Sequence, residues 1–159
     1  MTQHASRRRR DNGAAAVEFA LVVPVLLVLV FGIIDYGIYF SDSLAVRSAV
    51  RDGARQGVVG QCDSMKCIAD LTKARIDPIA GGAESVKVVA PRGWQRKQNL
   101  TVCAVVAVNG VTGLTPLPNG GTTRAKVTMR IEQDDPAPAE TSYTDPLAPG
   151  EWDFCDEAP

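Results

Sequence analysis

A long apolar segment near the N-terminus is the strongest pattern in this sequence. Between Phe19 and Ile34 no residue carries a charge or a hydroxyl group. Together with the small residues from Ala14 onward, the segment makes about 21 helical residues, which is enough to cross a bilayer core of about 30 Å. The pattern predicts a membrane-spanning α-helix with one carboxylate, Glu18, close to its start.

The helical pattern continues beyond the apolar segment, so residues 14–59 are predicted to form one element. Residues 41–59 contain no proline and keep apolar residues at helical spacing. Small residues recur at every fourth position, and such rows let another backbone approach closely. We expect the row to pack against the head of this chain or a neighbouring helix, although an alanine-rich helix also produces such rows by chance. Its members are Gly37, Ser41, Ala45, Ala49, Gly53 and Gly57.

After Gly60 the periodicity changes and predicts a small head over residues 60–133. Ile68, Leu71 and Ile76 indicate a short amphipathic helix that ends before Pro78. Three segments rich in β-branched residues then predict the strands of a small antiparallel sheet, at residues 85–90, 100–108 and 124–133. The predicted fold class is therefore α+β, with a long transmembrane helix leading into the head.

Residues 134–159 form an acidic, proline-rich tail. From residue 132 to the end there are nine acidic residues and no lysine or arginine. This composition buries little apolar surface and predicts a mobile segment. Trp152, Phe154 and Cys155 point the other way, because aromatics beside a cysteine favour a segment that docks on the head or on a partner.

The charge distribution predicts the orientation in the membrane. Residues 1–13 form a basic leader with four consecutive arginines, at positions 7–10, and we expect no regular structure there. Arginines directly before the apolar segment place the N-terminus in the cytoplasm and the head outside. The adjoining apolar segment explains the arginines better than nucleic-acid binding does.

The four cysteines lie in the predicted extracytoplasmic part, where disulfides form and persist. Three pairings are open, and we favour Cys62 with Cys67 and Cys103 with Cys155. A zinc site is the alternative, but the spacings lack a paired C-x-x-C and the only histidine, His4, lies in the leader. We therefore expect no metal and no cofactor.

The junction between leader and helix resembles a known signal. Gly13 ends the basic leader, four small or apolar residues follow, and then come Glu18 and Phe19. This arrangement resembles the type IV prepilin signal. With Pro24 and the later run from Phe31-Gly32 to Asp35-Tyr36-Gly37, it resembles more narrowly the TadE-like family, the minor pilins or pseudopilins of tight-adherence (Flp-type) pilus systems. The resemblance covers about residues 12–57.

The resemblance implies processing and assembly. A prepilin peptidase would cut between Gly13 and Ala14, and Glu18 would then meet the new amine of a neighbouring subunit and set the register between helices. The implied partners are that peptidase, other pilin or pseudopilin subunits, the pilus assembly platform and membrane lipid. The simpler alternative is that Glu18 is only tolerated at the level of the lipid headgroups.

The sequence contains no recognisable catalytic constellation. Without a histidine after the predicted cut, a serine or cysteine nucleophile would lack its usual base, and there is no phosphate-binding glycine loop. We expect a pilin-like subunit and not an enzyme, located in the cell membrane as a single-pass protein or in a pilus. The alternatives are an uncleaved, membrane-anchored extracytoplasmic binding protein and, less well supported, a membrane-tethered accessory factor of an enzyme.

Overall fold

The first element is a single long helix, α1. The computed structural model describes residues 5–76, 82–134, 137–146 and 151–156, and α1 spans Ala5–Val58. Its 54 residues make a rod of about 80 Å. The helix includes Pro24, which membrane helices tolerate. The prediction that the leader lacks regular structure is wrong for residues 5–12, since no glycine or proline occurs there and arginine is a good helix former.

The head follows the predicted order of a short helix and strands. Helix α2 (Met65–Arg75) begins at Ser64, whose side chain caps the helix by accepting a hydrogen bond from the Cys67 amide at 3.2 Å. Strands β1 (Glu84–Val89), β2 (Asn99–Ala107) and β3 (Thr122–Arg130) lie within two residues of the predicted starts. With β4 (Ser142–Thr144) they form an antiparallel sheet in the order β3-β2-β1-β4.

The core of the head lies between the sheet, α2 and the second half of α1. Met65, Ile68, Leu100, Val46 and Val50 have no exposed surface, so both helices and the central strand contribute. Residues 100–106 of β2 are all buried, which explains their nearly continuous apolar sequence. The described part of the chain is therefore an α+β protein, as predicted.

The buried side of α1 begins at Asp35. From there to the end of the helix, buried residues recur at intervals of one, three and four, as expected for one side of a helix. They are Asp35, Tyr39, Asp42, Val46, Ala49, Val50, Gly53, Ala54, Gly57 and Val58. The end of α1 is also fixed to the head by a hydrogen bond from the Glu132 amide to the Val58 carbonyl at 3.2 Å.

Two described parts of the acidic tail belong to the head, so the prediction of a mobile segment is wrong for residues 142–146 and 151–156. Strand β4 pairs with β1 along residues 142–144. A final short helix, α3 (Asp153–Asp156), is joined to β2 by the disulfide between Cys103 and Cys155. The second disulfide joins Cys62 to Cys67, so both favoured pairings are present.

Opposite charges explain why an acidic segment docks there. The outer side of the sheet carries basic side chains from β1 and β3. Lys87 forms an ion pair with Asp156 at 2.6 Å, and Lys126 donates to the Phe154 carbonyl at 3.3 Å. Composition alone predicted mobility because it does not show that the sheet presents matching cations.

Candidate functional site

Most of the apolar half of α1, from Gly13 to Val30, is left uncovered by the rest of the described chain. Its most apolar 18-residue window has a mean hydropathy of 2.8 and no buried residue, and the helix is long and apolar enough to cross a membrane. From Gly13 to Val30 every residue except Val23 is exposed. An apolar surface of this size needs lipid or other helices around it, because its contact with water is unfavourable.

The residues of the predicted processing site lie at the start of this exposed surface. Gly13 is an interior residue of α1, and a side chain added there would meet only open space. Glu18 is exposed, and no hydrogen bond or ion pair links it to any side chain that the structure describes. Ala14 and Glu18 are four residues apart and so lie on the same side of the helix, about 6 Å apart along its axis.

The six small residues predicted to form one packing surface are split into two groups. Gly37 and Ser41 are exposed and Ala45 is partly exposed, whereas Ala49, Gly53 and Gly57 are buried. The reason is geometric: a step of four residues turns a helix by about 40° beyond a full turn, so five steps turn it by about 200°. One partner cannot cover both ends of such a row.

The buried end of the row is where the head approaches α1 most closely. A Cβ atom on Gly57 would lie 2.9 Å from Ile68 Cδ1 and 3.0 Å from Leu100 Cδ2. A Cβ atom on Gly53 would clash with Thr72 Oγ1 and lie 3.0 Å from Thr72 Cβ. The head therefore uses this end itself and leaves the end at Gly37 and Ser41 open.

Asp35 is the centre of the junction between the apolar segment and the head. It follows the last apolar residue, Ile34, and only 1% of it is exposed. Its carboxylate accepts hydrogen bonds from the Thr112 amide at 3.0 Å, from the Thr115 hydroxyl at 2.7 Å and from the Thr112 hydroxyl. Three donors satisfy a carboxylate that would be costly to bury alone.

Further hydrogen bonds continue this junction along α1. The Tyr36 hydroxyl donates to the Pro116 carbonyl at 3.0 Å, and the Tyr39 hydroxyl to the Thr122 carbonyl at 3.5 Å. Ser43 and Thr123 share a hydrogen bond of 2.9 Å between their hydroxyls. The loop after β2 and the start of β3 are thus fastened to the helix just beyond the apolar segment.

Comparison with known families matches this N-terminal part of the chain. Residues 13–55 match the family model described as TadE-like protein. Over these residues the chain is similar to TadE-like proteins. The matched TadE-like segment contains Gly13, Glu18, Asp35 and Gly53 and none of α2 or the sheet. No curated protein and no solved structure matches the chain.

The match has two coarse consequences. A TadE-like segment supports a component associated with a tight-adherence pilus, in which other subunits take part. The single N-terminal apolar helix supports membrane anchoring. Asp35 belongs to the matched segment, and its partners come from the unmatched head.

Sequence reasoning missed the role of Asp35 and of the two threonines that bind it. A carboxylate directly after an apolar segment indicates a polar partner, but Thr112 and Thr115 are about eighty residues away, with a sequence separation of 77 and 80. No local pattern shows which of the loop hydroxyls meets the helix.

A partly buried charge pair inside the head was also missed. Lys73 on α2 lies 2.7 Å from Asp145, which directly follows β4. Burial alone would raise the pKa of Asp145, but hydrogen bonds from Lys73, the Val86 amide and the Tyr143 hydroxyl together lower it below the usual value. The same hydrogen bond raises the pKa of Lys73. The pair connects α2 to the strand at the edge of the sheet.

Proposed function

We propose that this chain is a minor pilin-like or pseudopilin-like component of a tight-adherence pilus or a related secretion machine, and that it acts by assembly. The observation that supports this most strongly is that the two halves of the TadE-like segment have different surroundings. Its second half packs on the chain's own head, and its first half presents an apolar surface that nothing in the described chain covers.

The orientation and processing follow from the charges around that surface. With the arginines of the leader on the cytoplasmic side, the head lies outside the membrane. A prepilin peptidase then cuts between Gly13 and Ala14 at the cytoplasmic side. Gly13 suits this step because it has no side chain and because glycine is the least stable ordinary residue inside a helix, by about 1 kcal/mol relative to alanine.

Glu18 has a defined task in this proposal. After the cut, the new amine of Ala14 is positive, and Glu18 is the only charged residue between Ala14 and Ile34. In a bundle of apolar helices each of these charges needs a partner of opposite sign. An ion pair between Glu18 of one subunit and the amine of the next satisfies both charges and fixes the axial register of the two helices.

Because the head is fixed to α1, the axial register of the helices also sets the position of the head. Because Asp35, Ser43, Gly53 and Gly57 fix the head along the second half of α1, any axial position that Glu18 sets for the helix also sets the position of the head. The chain then needs no catalytic group or cofactor, and its partners are the peptidase, other pilin-like subunits, the assembly platform and lipid.

One observation favours the alternative of an uncleaved anchor. Helix α1 runs without interruption through Gly13, and a peptidase must locally unwind it to reach the peptide bond. In that case the protein is a single-pass, extracytoplasmic binding protein, and Glu18 lies at the level of the headgroups without a protein partner.

Replacement of Glu18 tests the proposal in cells that make the pilus. For Glu18→Ala we expect cleavage after Gly13 to continue and the amount in sheared pili to fall at least tenfold. The reason is that removal of one partner from a buried ion pair costs about 3–5 kcal/mol, and about 1.4 kcal/mol corresponds to a factor of ten.

Asp63→Asn is the matched control. It removes the same charge from an exposed position in the loop after α1, and its incorporation should equal that of the unaltered protein. Normal incorporation of Glu18→Ala would contradict the assigned role of the carboxylate. A shorter side chain with the charge kept, in Glu18→Asp, should restore part of the loss.

A further inference from the structure

We propose that the loop of residues 109–117 is a second membrane contact, which inserts Val111 and Leu114 into the lipid headgroup region beside α1. We call residues 109–117 the interface loop. The proposal requires only that the apolar helix spans a membrane, and it is independent of processing and of pilus assembly.

The position of the interface loop along α1 is fixed by contacts with the end of the apolar segment. Asp35 binds Thr112 and Thr115, and Tyr36 binds the Pro116 carbonyl. A Cβ atom on Gly32 would lie 3.6 Å from Thr115 Cγ2. The loop therefore lies beside residues 32–36, where the apolar segment ends, and a spanning helix holds this level at the edge of the bilayer.

The interface loop has the composition of a segment that contacts lipid. Residues 98–123, which comprise β2, the loop after it and the start of β3, contain no charged side chain. Val111 and Leu114 are 63% and 65% exposed. Exposure of two neighbouring large apolar side chains to water is unfavourable, and lipid contact would remove them from water.

Several polar groups of the loop form hydrogen bonds to α1 or within the loop. The hydroxyls of Thr112 and Thr115 both bind Asp35, and the Leu114 amide donates to Thr112 Oγ1 at 3.3 Å. A backbone amide without such a partner would resist entry into the headgroup region. These bonds lower the cost of bringing Val111 and Leu114 into the headgroup region.

Two contacts define an orientation that one helix cannot. A single helix leaves the head free to rotate about the helix axis, whereas a loop on one side determines which surface of the head faces the bilayer. Tyr36 is exposed at the same level and Phe40 about one helical turn further out, and aromatic side chains are enriched at membrane surfaces.

Tryptophan reporters in the full-length protein test this proposal. The protein is reconstituted into vesicles of phosphatidylethanolamine and phosphatidylglycerol with or without acyl chains brominated near the glycerol. The reporter is Leu114→Trp and the matched control is Leu44→Trp, because Leu44 is 66% exposed and lies about 15 Å further along α1 from Ile34. The unaltered protein gives the background of Trp94 and Trp152.

The expected result is that the emission added by Leu114→Trp is quenched at least twofold by the brominated lipid and resists acrylamide in the water. The emission added by Leu44→Trp should show the reverse. Val111→Trp is a second reporter with the same expected result, in case one replacement disturbs the loop.

Two outcomes would overturn the proposal. Equal access of acrylamide to both positions would show that the loop is in water. Protection of position 114 from acrylamide without quenching by brominated lipid would show that protein covers it, for example a second copy of this chain. Because neither measurement involves a peptidase or a pilus, failure here leaves the proposed function untouched.

Discussion

Gly53→Ala is the most informative single change at the contact between α1 and the head. In an exposed helix, glycine to alanine stabilises by about 0.5–1 kcal/mol. At Gly53 the added Cβ atom instead meets Thr72, whose Oγ1, Cβ and Cα all lie within 3.3 Å of it. Overpacking of this kind costs about 1–3 kcal/mol. We expect a net loss of about 0.5–2 kcal/mol.

Thr72 cannot move away at low cost. It is fully buried on α2, and its hydroxyl donates to the Ile68 carbonyl at 2.8 Å. Rotation of the side chain would break that bond and leave Thr72 Cβ at 3.0 Å from the new methyl group. Relief therefore requires that α2 shifts away from α1.

The assay is urea unfolding of the full-length protein in a mild nonionic detergent, with intact disulfides, followed by the fluorescence of Trp94 and Trp152. With a slope of about 1–3 kcal/mol per molar urea, each kcal/mol moves the unfolding midpoint by about 0.3–1 M urea. Gly37→Ala is the control, since a Cβ atom there meets nothing within 4 Å, and it should leave the stability unchanged or raise it.

A double-mutant cycle separates the clash from other effects. Thr72→Ala removes the atom nearest to the new methyl group, so Gly53→Ala should cost at least about 0.5 kcal/mol less in that background. If Gly53→Ala stabilises the protein as much as Gly37→Ala does, the close approach of α2 to α1 is refuted.

Two further predictions concern the carboxylates that hold the head together. Asp35→Asn should weaken the junction by about 1.5–3 kcal/mol, the usual value of hydrogen bonds to a charged group. In limited proteolysis, the interface loop of Asp35→Asn should be cut faster than that of the control variant Asp63→Asn, whose changed residue is exposed. Asp145, with a pKa below its usual 3.8, stabilises the fold above that value and loses its effect as the pH falls through the lowered pKa. The stability difference between the unaltered protein and Asp145→Asn should therefore be constant from pH 5 to about 9 and shrink below about pH 4; a difference that vanishes near pH 6 would contradict this.

The sequence was sufficient for the elements whose pattern is local. The apolar segment, the capped helix α2 and the three longer strands follow from spacing, because each buries a side that repeats with its own period. Both favoured disulfides are present. One closes a short loop, and the other joins the tail to the sheet.

The rest depends on contacts between distant residues. Strand β4 has only three residues, Ser142, Tyr143 and Thr144, which is too short for a pattern to show. Asp35 gives no indication of which threonines it binds. The spacing along the sequence predicts the row of small residues as one surface, but the row winds around α1, so its C-terminal end faces the head and its end at Gly37 and Ser41 does not.

The two halves of α1 differ in their contacts. The residues from Asp35 to Val58 are fixed to the head by burial and hydrogen bonds, and the residues from Gly13 to Val30 are left uncovered by the described chain. A helix that is packed on its own head at one end and uncovered at the other is suited to hold that head at a defined position relative to neighbouring helices.

The first residue of the protein in its native membrane tests the central claim most directly. Intact mass and N-terminal sequencing should find Ala14, with or without a methyl group on its amine, and Gly13→Leu should leave the leader attached because a large side chain blocks the approach of the peptidase. Retention of Met1 or Thr2 in cells with an active prepilin peptidase would contradict the account and leave the uncleaved anchor as its replacement.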